Sequence, residues 1–135
     1  MSLAIEIVYS FNAKNRASWS RNVIVPDNFT LTKLHYLISD LAHINGADIF
    51  FQFMDSNFNL LNSNAKIGCT ARWHFNDITI KQAVAPGVCL DYRCHGVNNW
   101  LFNVYFTSHS TWSLHGKPYE VIGKTGRSIK QFKIA

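Results

Sequence analysis

WSRNVIVPDNFTLTKLHYLISDLAHINGADIFFQFMD, residues Trp19–Asp55, reads as a strand, a capped amphipathic helix, a tight turn and a second strand. From Trp19 to Val25 the pattern alternates. Trp19, Arg21, Val23 and Val25 fall on one face, and Ser20, Asn22 and Ile24 on the other. Pro26-Asp27-Asn28 stops that strand. Thr30 is a good N-cap, with Asp27 and Asn28 as competitors. The apolar residues that follow, Leu31, Leu34, Leu37, Ile38 and Leu41, have helical spacing, and Lys33, Tyr36 and Asp40 lie off the stripe. Asn45-Gly46 is expected to end the helix, with Gly46 in the left-handed position. Ile49–Met54 has few polar breaks and suits a strand with neighbours on both sides.

Outward from this block the signals are shorter. Ala4–Tyr9 is β-branched and aromatic, and with Trp19–Val25 it makes an expected hairpin. Residues 55–75 read as loop. Thr79–Ala85 reads as a short helix capped by Asp77 or Asn76 and closed by Pro86-Gly87. Val88–Cys94 and Trp100–Thr107 flank a turn at His95–Asn99. Tyr119–Ile122 and Ile129–Phe132 are candidate edge strands whose basic residues would discourage aggregation. The order is hairpin, helix, strand, short helix, hairpin. It predicts an α+β fold, with a mixed, mostly antiparallel sheet and one main helix on a face, in a β-grasp-like arrangement. At 135 residues, a single domain is expected, with its core over about 4–107 and a basic C-terminal extension over 111–135.

Charged residues make up only 16% of the chain and aromatics 14%, so some aromatics are expected at a binding surface. The net charge is +5. Residues 26–65 are net negative, whereas 11–25 and 111–135 are basic. A basic face built from both chain ends would meet nucleic acid or an acidic protein. Its expected contacts are Arg16, Arg21, Lys124, Arg127, Lys130 and Lys133, with Trp19, Trp112, Tyr119 or Phe132 to stack. Leu3–Val8 is short, interrupted by Glu6 and preceded by no positive region, so no signal peptide is expected. Neither is a membrane span. Cys69, Cys89 and Cys94 have no paired spacing, which fits reduced thiols in the cytoplasm.

No reaction chemistry emerges. His35 and His43 sit two helical turns apart, and no zinc-type spacing occurs, so neither metal nor cofactor is expected. His35 is expected to hydrogen-bond locally. Cys94 and His95 are neighbours on a strand and would point to opposite sides. Ser108-His109-Ser110 lacks a glycine elbow, and Gly123-Lys124-Thr125-Gly126 lacks the upstream glycine of a phosphate loop.

Several positions together resemble the plasmid Ri open-reading-frame-three-like proteins, also described as resolvase-like passengers of insertion elements. They are Trp19, Arg21, Val25-Pro26, Thr30-Leu31, Leu34-His35, Ile38 and Phe53. A second block, Asp91-Tyr92, Gly96, Asn98-Asn99 and Trp100-Leu101-Phe102, resembles the same family, and the likeness covers roughly residues 4–107. Ile49 and Phe51 stand where members carry histidines, and Val97 and Asn98 where they carry acids. No serine-recombinase motif is present. The resemblance implies a protein of a plasmid, phage or other mobile element. The expected function is that of a non-enzymatic accessory protein that binds protein or nucleic acid, with inhibition of host defence as one concrete version, and that is able to self-associate. The alternative is a small enzyme or ligand-binding domain. Its pocket would lie between helix 30–44 and hairpin 88–107, lined by His35, Tyr92, Arg93, His95 and Trp100.

Overall fold

The computed structural model describes residues 2–9, 19–43, 50–57, 59–63, 78–95 and 99–126. Seven strands and two helices follow in the order β1 (Ser2–Tyr9), β2 (Ser20–Pro26), α1 (Leu31–Ala42), β3 (Phe50–Met54), β4 (Leu60–Ser63), α2 (Ile80–Ala83), β5 (Cys89–His95), β6 (Asn99–Ser110) and β7 (Glu120–Thr125).

The strands form one sheet in the order β4-β3-β5-β6-β1-β2-β7. Every pairing is antiparallel. This corrects the α+β expectation: the molecule is mainly β, the sheet is not mixed, and the β-grasp arrangement is absent. The reason is topological. The sequence around α1 suggested a local unit, but β2 and β3 are not neighbours, because β5, β6 and β1 lie between them. α1 therefore bridges two distant parts of the sheet. The segment 60–63, expected as loop, adds a strand at one edge, and Glu120–Thr125 adds one at the other.

Alternation decides which face is buried. Trp19, Arg21, Val23 and Val25 of the β2 segment point inward, as do Trp100, Phe102, Val104 and Phe106 of β6. α1 adds Leu31, Leu34, Leu37, Ile38 and Ala42 to the same core. Each Val, Leu, Ile or Phe among them, removed from water, contributes about 1.5–3 kcal/mol. Aromatic contacts fill the centre: Trp19 meets Phe102 edge-on at 5.6 Å, and Phe53 meets Tyr92 at 4.7 Å.

Thr30 caps α1 by accepting from the Lys33 amide at 3.3 Å. Thr79, not Asp77 or Asn76, caps α2, in a reciprocal capping box with Gln82. The two starts are tied together. Leu31 N donates to Ile78 O at 2.9 Å and Ile80 N to Phe29 O at 3.0 Å. α1 ends earlier than expected, with His43 rather than Gly46 in the left-handed conformation at φ 58°; Gly46 lies outside the described residues. The expected strand at 129–132 also lies outside them. Among the described residues no helix is long and apolar enough to cross a membrane.

Candidate functional site

The register of β2 against β7 sets Arg21 directly opposite Lys124. Directly opposed residues share a face, so both cations project toward the side that carries the core and α1. Arg21 is only 8% exposed. Its Nη1 donates to Ser20 O at 2.7 Å and Thr125 O at 2.8 Å, and its Nη2 to Gly126 O at 3.2 Å. The guanidinium also lies over the Trp19 ring, 4.4 Å from its centroid. Burial lowers the Arg21 pKa, but a guanidinium keeps its proton. Lys124 is exposed.

Between this pair and the end of α1 lies a cleft of about 640 Å³. Val121 and Gly126 join Arg21 and Lys124 on the sheet wall; Asp40, Leu41 and His43 form the helix wall. Asp40 also borders a second groove of about 400 Å³, which runs back along α1. Phe29 and Leu37 form its floor, both nearly buried. Its rim carries Lys33 and Tyr36 on one side, and Pro118 and Tyr119 on the other. Tyr36 is 55% exposed, a large aromatic side chain off the buried stripe of α1. Tyr119 donates its hydroxyl to Asp40 Oδ2 at 2.9 Å, joining the loop before β7 to the helix. Burial, and then the Asp40 carboxylate, raise the Tyr119 pKa.

The residues expected to form a binding face are thus partly united. Arg21 and Lys124 share one cleft, with Trp19 behind Arg21. Trp19 is 1% exposed, so its ring is closed to a nucleotide base. Arg16, Arg127, Lys130 and Lys133 lie outside the described residues.

The alternative pocket residues divide differently. His35 and Tyr92 do meet, with Nδ1 of His35 2.5 Å from the Tyr92 hydroxyl, but both are wholly buried. The hydrogen bond reaches across 57 positions, so the local partner expected for His35 is corrected. The imidazole also stacks on Phe51 at 3.8 Å. Trp100 is buried on the same side of the sheet. Arg93 alternates with the buried Tyr92 and Cys94 and therefore belongs to the opposite face. The His95 backbone pairs with Phe50 and Asn99; its side chain lies outside what is described. Burial pushes the Cys94 thiol up to about 12 and the Tyr92 hydroxyl well above its ordinary value. Burial thus favours the protonated form of both groups at neutral pH.

Sequence reasoning missed the groove itself. The available signal was Tyr36, a large aromatic off the apolar stripe of its own helix, together with Pro118-Tyr119.

No family model matches the chain, and no curated protein matches it. Among solved structures, a crystal structure of a protein of unknown function from Methanosarcina mazei Go1 is similar, with a TM-score of 0.65. The match covers 91% of this chain and 68% of that one at 11% identity, so the likeness is one of fold alone.

Proposed function

We propose that this chain is a non-enzymatic binding protein that docks a protein partner along α1. The observation that carries the reading is the groove over Phe29 and Leu37, rimmed by the exposed Tyr36 and by Pro118 and Tyr119. Aromatic rims over an apolar floor supply rigid contact area at low entropic cost. Nucleic-acid binding has less support. Trp19 is buried, and of the expected basic contacts among the described residues only Lys124 stands exposed.

The resemblance to the plasmid Ri open-reading-frame-three-like proteins supports reading the chain as an accessory protein of a mobile element. Transposase, phage or defence genes beside its coding sequence would support that origin, and housekeeping neighbours would count against it.

The docking reading is tested by capture from lysate with and without nuclease, using the wild type and Tyr36→Ala. The expected result is a partner that survives nuclease and raised salt and is lost with the variant. A partner released by nuclease, or one held equally by Tyr36→Ala, overturns it.

A further inference from the structure

We propose that the cleft between β7 and the end of α1 seats the carboxylate of an acidic, extended peptide segment whose apolar side chain fills the adjoining groove. This deepens the docking reading and rests on it.

The first support is an unbalanced charge. Arg21 is more than nine-tenths buried, and its three hydrogen bonds go to neutral carbonyls. Buried charges are ordinarily paired. Directly opposite stands a second cation, Lys124, and like charges facing each other across two strands repel. The ion pairs seen among the described residues are Lys81–Asp27 and Lys117–Glu120, and neither involves this pair. The acid on the facing wall, Asp40, is engaged by the Tyr119 hydroxyl. Among the described residues Asp40 is the one acid lining the cleft, against a fixed arginine and an exposed lysine, so these residues leave the cleft with a net positive charge. Arginine held in place by carbonyls and an indole loses little freedom on meeting a carboxylate.

The second support is continuity. Asp40 borders both cavities, so the basic cleft and the apolar groove adjoin at that residue, on either side of its bond to Tyr119. From Lys33 to His43 the helix rises about 15 Å, at roughly 1.5 Å per residue. An extended chain covers that distance in about four or five residues. The matching ligand carries an apolar anchor toward the Lys33 end and an acid toward the His43 end. Asp40 and the carbonyl end of α1 repel acids along the helix wall, which directs the carboxylate to the sheet wall.

The test uses the full chain and short synthetic peptides carrying a leucine and, about four residues away, two glutamates. Matched peptides carry glutamine or lysine instead, and an oligouridylate is the nucleic-acid arm. Lys124 is exposed, so Lys124→Met and Lys124→Glu should fold normally. The glutamate peptide should bind about tenfold tighter than the glutamine peptide, a margin of about 1.4 kcal/mol. Lys124→Met should erase most of that margin, and Lys124→Glu should shift preference to the lysine peptide. Equal binding of glutamate and glutamine peptides, tighter binding of oligouridylate, or no peptide binding overturns the proposal. Glutamine peptides that still bind and still need Tyr36 would sink the acidic inference while leaving the docking reading intact. Glutamate binding that needs Lys124 but not Tyr36 would sink both the docking reading and the extended occupant.

Discussion

The Tyr119 hydroxyl donates to Asp40 Oδ2 across 79 positions of sequence, and this bond pins the loop entering β7 to the last turn of α1. Asp40 is exposed and Tyr119 half-buried, so the bond is worth less than a buried one. Tyr119→Phe is expected to cost about 0.5–1 kcal/mol by urea denaturation at neutral pH. The Tyr119 pKa is raised above its ordinary 10.0, chiefly by burial and secondly by Asp40. A raised folded pKa gives stability that is complete below the unfolded value and lost as pH climbs through the folded one. The difference between wild type and Tyr119→Phe should therefore shrink above pH 10.0.

Arg21→Met tests how β7 is held. The change keeps an apolar stem over Trp19 but leaves the carbonyls of Thr125 and Gly126 without their donor. Hydrogen bonds from charged donors contribute about 1.5–3 kcal/mol, and a loss in that range is expected. The loss should be local first. Amide exchange over Glu120–Thr125 should accelerate before the centre of the sheet responds.

Tyr92→Phe removes the hydroxyl that meets His35 and leaves a wholly buried imidazole nitrogen without it. The expected cost is about 1–3 kcal/mol in chemical denaturation. Adding His35→Leu should cost less than the sum of the two single changes, because the orphaned polar atom then disappears. Strict additivity would mean that the contact carries no energy.

Cys94 contributes to alkaline behaviour alongside the raised tyrosines Tyr92 and Tyr119. Its thiol is pushed from 9.0 up to about 12 by burial, so the folded state resists ionisation that the unfolded chain accepts. The folded pKa is the higher one, so stability is full below pH 9.0 and falls as pH rises toward about 12. Cys94→Ala should lower stability at neutral pH through the cavity it leaves, yet flatten the alkaline decline. Denaturation midpoints taken across that range distinguish the two effects.

What could be read from the residues was local. The alternation of Trp19, Arg21, Val23 and Val25 places all four inward, and Thr30 caps the helix as its side chain suggests. The cap of α2 went to Thr79 rather than to Asp77 or Asn76, and the overlooked signal was Gln82 three residues after Thr79, which completes a capping box. Leu60–Ser63 is too short for a period-two pattern to stand out from its Asn- and Ser-rich surroundings. Gly46 was the better glycine for a helix end, yet His43 takes the left-handed conformation with its amide bonding Ser39 and Asp40 carbonyls. The fold class failed for a different reason. Helical and strand periods say what each segment is, whereas class depends on which strands pair, and no local pattern announces that β1 lies against β6. The site divided the same way. Arg21 and Lys124 could be named as basic residues, but only the register of β2 on β7 makes them neighbours.

The place of β1 between β2 and β6 has a kinetic consequence. Ser2 is matched to Pro26 on one side and to Ser110 on the other. One edge of β1 stays unpaired until β6, about 100 residues further along, has been made. So large a share of distant pairings predicts folding in milliseconds to seconds rather than microseconds. A truncation before Ser110 should leave an insoluble chain, not a smaller folded domain.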